Sequence, residues 1–539
     1  MQIRRGAAAL AGAAALGLLV SACGAGNSGN NAGNGSTAGD GNGGGGSIIV
    51  GTTDKVVSID PAGSYDNGSM QVQTQVFQYL LNFPEGKNAP EPDAAEKCEF
   101  STPTEYTCTM KDGLKFANGD PLTAKSVAFS FKRIVDINDP NGPASLLGNM
   151  ESVEAKDDKT VVFRLKAAND QTWPQILVTS AGPIVDEKVY PADKVLSDDE
   201  AVKAQGFSGP YTIGTYQKNQ IAEFKANASY NGAYNKPQIA KVTMKYYTSA
   251  DNLKLDIQNK NIDVAWRSLS PTDIESLQSV DGIKVYTGAG GELRYMVFNL
   301  KTMPGSNDAQ KLAVRQAMAS SIDRDALSTK VYKGTYKPSY SQVPPGLPGA
   351  NEAFKAVYGE KPNVDQAKKY LTDAGVSTPV SLQIQYNPDH YGGSSDQEYN
   401  EIKRQLEATG LFKVNLQSAE WTTYSKERTK DSYPIYQLGW FPDFPDADNY
   451  LSPFFGPNNF LQSHYSNDEM NKLLTDEVTQ GDKAKREQLL GQIQDKVAKE
   501  VPTLPMLYGA QVAVAKSDVK GVQETLDAAF KFRFTSLSK

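Results

Sequence analysis

The feature that most restricts what this chain can fold into is a change of rhythm near residue 295. Ser47-Ile48-Ile49-Val50-Gly51 opens as a strand. From there to about residue 290, short alternating segments dominate. Ile221 to Ala226 and Lys241 to Tyr247 alternate as strands, and Val153 to Ala155 with Thr160 to Leu165 flank Asp157-Asp158-Lys159 as a hairpin. Asp60-Pro61 starts a Gly/Asn-rich loop that runs through Ser69. A helix over Leu122 to Asp136 carries Val127, Phe131, Ile134 and Val135 at helical spacing. After Arg294 the pattern changes. Strands over 294–300, 380–386, 412–417 and 435–439 alternate with helices over 308–320, 364–374, 398–409 and 421–429, and Gly375 and Gly410 close two of the helices. Ser466-Asn467-Asp468-Glu469 reads as a capping box opening a further helix. Such alternation predicts an α/β lobe with helices covering a sheet. Thr503 to Ala515 is strand-like again and is expected to return to the first lobe. A chain of 539 residues exceeds what one hydrophobic core sustains, so at least two lobes are required.

The first residues address the compartment. Arg4-Arg5 precedes an unbroken Gly/Ala/Leu/Val run from Gly6 to Val20, too short for a comfortable bilayer span. This reads as an export signal over residues 1–22. It ends in Leu19-Val20-Ser21-Ala22-Cys23, which resembles the bacterial lipobox and implies a lipid on Cys23. Stable anchoring needs more than one acyl chain, as on a diacylated cysteine. Gly24 to Ser47 is almost all Gly, Asn, Ser and Ala. Such a tether spans about 25–30 Å as a random coil. The order of lipid, tether (23–47) and body suggests a receptor held at the extracytoplasmic face of the cell membrane, in the periplasmic space or on the cell-wall side.

Composition excludes several functions. Net charge is −7 and no basic stripe appears, which argues against nucleic acid. His390 and His464 are the only histidines, so His-based metal or catalytic chemistry has little to work with. Gly-x-Ser-x-Gly, Gly-x4-Gly-Lys and His-Glu-x-x-His are all missing. Asp446-Ala447-Asp448 lacks the glycine and terminal glutamate of a calcium loop. No cofactor or metal is expected, and the chain is not expected to be an enzyme. Cys98 and Cys108 bracket a short hairpin, and in an exported protein they are expected to form a disulfide. Closing so short a loop would contribute about 3 kcal/mol in the chain-entropy picture.

Ordered strings resemble the large solute-binding proteins of bacterial ABC importers, specifically the dipeptide/oligopeptide-binding family. Asp60-Pro61-Ala62 followed by Val76 to Leu81 is similar to that family's opening. Lys115-Phe116-Ala117-Asn118-Gly119-Asp120-Pro121-Leu122-Thr123-Ala124 with Phe129-Ser130-Phe131 is the most diagnostic string. Ser208 to Tyr211, Asn227 to Tyr230, Val297-Phe298-Asn299, Val314 to Ala317, Ile322-Asp323-Arg324, Tyr465-Ser466-Asn467 and Val501 to Pro505 follow in order. Departures are Gln78 for an acid, Ala117 for a His and Lys125 for an Asp.

The resemblance implies an α/β, two-lobe periplasmic-binding-protein-like fold with a two-strand hinge and an extra subdomain. Lobe I would comprise 48–84, 206–294 and 506–539, the subdomain 85–205, and lobe II 295–505. It implies a peptide ligand, partner permease subunits in the membrane, and a monomer. By position, Asp443 matches the acid that receives the peptide amine, and Trp440 would wall a neighbouring side chain. Tyr65, Asp66 and Asn67 align with a loop whose backbone pairs with the peptide. Tyr386 to Gly393 carries no Arg where dipeptide-restricted members place one, which implies longer peptides with a free C-terminus. Within the family, an oligosaccharide is the alternative ligand, with Trp173, Trp266, Trp421 and Trp440 available to stack on rings. An exported hydrolase is the remote alternative, for which no nucleophile motif speaks.

Overall fold

The computed structural model describes residues 45–539, apart from Asn88, Ser268, Asn458 and the side chain of Thr422. The export segment, Cys23 and the tether through residue 44 lie outside the described residues.

One large mixed sheet organises the body. Its strands lie in the order Phe412–Ser418, Val380–Tyr386, Ile435–Trp440, Ile283–Phe298, Thr503–Lys516, Val264–Trp266, Ser47–Thr52, Lys241–Tyr246, Ile221–Ala226, Tyr211–Gln217. Tyr336–Pro338 adds to Thr503–Lys516 off this path. The two longest strands sit at the centre and pair antiparallel from Ile283↔Lys516 to Val297↔Thr503. One half of the pair is flanked by Ile435–Trp440, the other by Val264–Trp266. Two lobes therefore share these two strands, and the change of rhythm expected at 295 falls inside one of them.

Each side has its own core. Buried residues from Leu293 to Leu507, among them Phe298, Val314, Leu382, Ile402 and Val497, pack into one cluster. Ile48, Val72, Phe224, Val242, Phe532 and Phe534 belong to a second. A third cluster, with Phe131, Phe163 and Trp173, is built on the antiparallel sheet Ala95–Thr102, Glu105–Met110, Thr160–Leu165, Met150–Ala155. Cys98 and Cys108 face each other across its first hairpin and are disulfide-bonded.

Where the elements differ from expectation, polar residues account for the difference. The Leu122–Asp136 helix starts at Ala124, because Thr123 caps it reciprocally with Ser126. The helix after Ser466 starts at Asp468, capped by Asn467, whose side chain accepts from the Met470 N–H. The expected loop through Ser69 instead contains the helix Asn67–Val76. Its buried face mixes Val72 and Val76 with glutamine, serine and threonine. Gln71 and Gln75 donate to the Phe532 carbonyl at 2.7 and 3.0 Å, and Gln73 donates to Ser64 at 2.8 Å. With only Val72 and Val76 apolar on that face, the periodicity that marks a helix is weak. Gln78, which stands in place of an acid, donates to the buried Asp93 carboxylate at 3.3 Å, so a second carboxylate there would face like charge.

The start of the chain is tied to the third core by a buried ion pair. Arg133, on the helix Ala124–Ile137, grips both oxygens of Asp60 at 2.7 and 2.6 Å, with both side chains at most 1% exposed. Asp60 also accepts from the Ala62 and Leu196 N–H groups. Removing one partner strands a charge in the interior, which costs about 3–5 kcal/mol. Arg133→Ala is therefore expected to lower the unfolding free energy by about that amount, read from urea titrations at neutral pH; a loss below 1 kcal/mol would contradict this role.

Candidate functional site

The crossing strands pinch where backbones meet. Their register breaks between Gly288 and Glu292. A Cβ on Gly290 would stand 1.6 Å from the Gly509 carbonyl oxygen, and one on Gly288 2.0 Å from that of Leu526. Only glycine permits this approach. Beside the pinch lies a cavity of about 680 Å³, within the usual range for a small-ligand site. Asp54, Arg267, Glu292, Tyr336, Phe441 and Phe530 are among the residues that line it.

Arg267 follows the short strand Val264–Trp266 in the left-handed region, with φ +61°. Its guanidinium pairs with Asp54 at 3.2 Å and lies over the rings of Phe441 and Phe530, 5.1 and 5.2 Å from their centroids. Those two rings, from opposite lobes, are 5.9 Å apart. One cation thus bridges two aromatic surfaces across the cleft.

The five candidate residues fall at the edge of this arrangement rather than on the cavity wall. Asp443 and Tyr65 are brought together across the lobes, the phenol donating to Oδ1 of Asp443. Asn449 donates to Oδ2 at 3.2 Å, and its own carbonyl oxygen accepts from the Asp443 N–H at 2.9 Å and from Trp440 Nε1–H at 3.1 Å. Burial pushes the Asp443 carboxyl up, against the pull of Tyr65 and Asn449. Burial, then the neighbouring Asp443, pushes the Tyr65 phenol up, so it is the neutral donor. Trp440 packs edge-on against Phe454 at 5.0 Å and positions Asn449. Asp66 caps the helix that follows, accepting from the Ser69 N–H. Asn67 is the first residue of that helix, so its backbone is not the extended edge that strand-like pairing requires. It reaches a small recess shared with Arg267 and Phe530.

The loop after Asp443 fastens to the other side. Phe444, 4% exposed, inserts into the third core. Asp446 takes a bidentate pair from Arg486 at 2.8 and 2.8 Å and accepts from Gln175 at 2.7 Å. Arg486 also donates to Glu477 at 3.0 Å. Asp448 lies against Glu477, and burial followed by this neighbour pushes the Glu477 carboxyl up to about 10.

Sequence reasoning missed Arg267, Phe530 and Glu292, which carry no motif. The available signal was topological: Arg267 follows the carboxyl end of a strand running parallel to its neighbour, where open α/β sheets bind ligands. Arg294 was missed too, but it is no ligand anchor. At 1% exposure it donates to the Tyr391 carbonyl at 2.9 Å, behind the arginine-free stretch 386–393.

Comparison with known proteins decides the family. The model of bacterial extracellular solute-binding proteins, family 5 (middle), matches residues 89–462. The chain belongs to this family. Oligopeptide-binding protein OppA of Bacillus subtilis is 27% identical to this family 5 chain over 541 residues, covering 94% of each. The ABC transporter substrate binding protein CtaP of Listeria monocytogenes superposes with a TM-score of 0.78 at 23% identity, over 92% of this chain and 99% of that one. Helicobacter pylori DppA, solved in complex with the peptide STSA, superposes at 0.73 with 20% identity, over 92% and 98%. The fold is that of the two-lobed periplasmic binding proteins, and the family and these relatives are binding proteins rather than enzymes.

The acid cluster behind the Asp443 loop makes stability depend on pH. An unfolded glutamate titrates near 4.5, while Glu477 in the fold titrates near 10. The folded chain retains a proton that the unfolded chain has released, so the stability present below 4.5 is lost as pH rises towards 10. Glu477→Gln is expected to reduce the fall in urea midpoint between pH 5 and pH 9; a fall as steep as in the native protein would exclude Glu477 as its source.

Proposed function

We propose that this protein is the extracytoplasmic receptor of an ABC importer, capturing oligopeptides between its lobes and delivering them to a membrane permease without chemical change. The observation that carries the reading is the carboxylate of Asp443. It sits in a partly dry loop where the lobes meet, held by neutral donors and, among the described residues, by no cation. A peptide ammonium supplies the missing charge, and an enclosed ammonium in turn requires such an anion. Family membership and the peptide-binding relatives support the same assignment.

The lobe division proposed is 48–84, 206–294 and 506–539 for lobe I with its subdomain 85–205, and 295–505 for lobe II. Both lobe boundaries fall within the paired strands Ile283–Phe298 and Thr503–Lys516, which suits a hinge. Lipid on Cys23 would hold a monomeric receptor at the membrane, and the tether would let it reach its permease. Among the described residues no helix is long and apolar enough to cross a membrane.

Native mass spectrometry of the body from Gly24, purified without refolding, tests the ligand class. Co-purified masses fitting sums of amino-acid residues support peptide capture. Masses spaced by hexose units would replace the peptide with an oligosaccharide. Turnover of added peptides or glycosides would replace the receptor with a hydrolase. Asp443→Ala is expected to weaken peptide binding by about 3 kcal/mol or more in titration calorimetry; unchanged affinity would remove Asp443 from the site.

A further inference from the structure

Two carboxylates and one guanidinium lie close together beside the shared strand Ile283–Phe298, and they do not balance. Arg294 has Glu398 as its ion-pair partner, 3.6 Å away, and its guanidinium lies over the rings of Tyr332 and Tyr336 at 5.1 Å each. Glu398 also accepts from the Tyr332 phenol at 2.7 Å. Arg294 attracts Glu292 only at longer range, without ion-pair contact.

Glu292, two residues before Arg294 on the same strand, is 9% exposed and lines the 680 Å³ cavity. Its Oε2 accepts from the Tyr336 phenol at 2.5 Å. Among the described residues, no donor reaches its Oε1 and no Lys or Arg forms an ion pair with it. The remaining charges on the wall do not offset it. Arg267 is committed to Asp54 at 3.2 Å, Asp273 to Lys254 at 2.6 Å, and Asp251 and Asp389 add further negative charge. The cavity therefore combines a net negative wall, a nine-tenths-buried carboxylate with one oxygen free, and aromatic faces from Tyr336, Tyr391, Phe441 and Phe530.

We propose that this cavity receives a cationic side chain of the bound peptide, a lysine ammonium or an arginine guanidinium, and that Glu292 is the carboxylate that meets it. The proposal rests on the peptide reading above and deepens it. An enclosed carboxylate without a cation is unfavourable until a ligand brings the opposite charge, and aromatic faces add attraction for the same group. The cavity volume suits a long side chain. An acidic side chain would be repelled by the same wall.

The test uses short peptides that differ at one position, with lysine, its neutral isostere norleucine, or glutamate placed there, scanned along the chain and measured by titration calorimetry. At one position lysine is expected to bind at least tenfold tighter than norleucine, with glutamate weakest. Glu292→Gln is expected to cut that lysine-to-norleucine ratio to below threefold. Equal binding of the lysine and norleucine peptides to the native protein would overturn the proposal while leaving the peptide reading intact, and this comparison needs no variant. A lysine preference undiminished in a folded Glu292→Gln protein would likewise overturn it. Failure of every peptide to bind would remove the peptide reading and this proposal together.

Discussion

The close antiparallel approach of Ile283–Phe298 and Thr503–Lys516 is the constraint on which the rest of the molecule depends. These strands belong to both lobes, so each lobe completes its part of the sheet only through them. Where they cross the cleft, their register slips and glycines replace side chains. The Gly290 backbone sits against the Gly509 carbonyl too closely for any Cβ. Main-chain pairing is thus continuous enough to hold two cores in one body. From Gly288 to Gly291 the strand itself carries no side chain larger than the Ala289 methyl. A hinge built this way leaves the relative position of the lobes to the contacts made across the cleft.

Beside a main-chain bond from the Gln171 N–H to the Val478 carbonyl and an ion pair between Lys333 and Glu275, contacts of three kinds stand out. Phe444 inserts into the third core, an apolar contact with no directional requirement. Arg267 lies over Phe441 and Phe530, one ring from each lobe. Tyr65 and Gln175 donate to Asp443 and Asp446. All three kinds meet on the loop that leaves Trp440. Its shape is set from behind by Asn449, which ties Trp440 to Asp443, and by Arg486, which clamps Asp446. A single loop therefore both carries Asp443 and fastens the lobes, so a ligand at Asp443, as proposed, would be coupled to closure.

Much of the fold was legible in the sequence because its elements carry strong local signals. The strand Val380–Tyr386 and the helix opening at Asp308 stand where alternation and helical spacing put them. The helix Asn67–Val76 was hidden because glutamines share its inner face with Val72 and Val76, two of them satisfied by the distant Phe532 carbonyl, and no local rule anticipates buried glutamines. The site was legible only where a string could be matched. Asp443 lies in the string after Trp440. Arg267 and Glu292 are ordinary charged residues in sequence, and they acquire meaning only when topology sets them on the wall of one cavity.

The acids of the cleft divide by the chemistry of their partners. Asp54, Asp273, Asp446 and Glu398 each have a Lys or Arg in ion-pair contact, so their charge is answered within the protein. Asp443 and Glu292 instead accept from tyrosines, Tyr65 and Tyr336. Burial and the adjacent carboxylate push both phenols up, so they remain neutral donors. A phenol orients a carboxylate and lowers the cost of its enclosure without cancelling its charge. A Lys or Arg in that place would cancel it and leave a cationic ligand nothing to gain. On the proposed reading, Asp443 answers a group that every peptide with a free N-terminus carries, whereas Glu292 answers one that only some side chains carry. The same pairing of carboxylate and phenol would then serve general capture at one site and selection at the other.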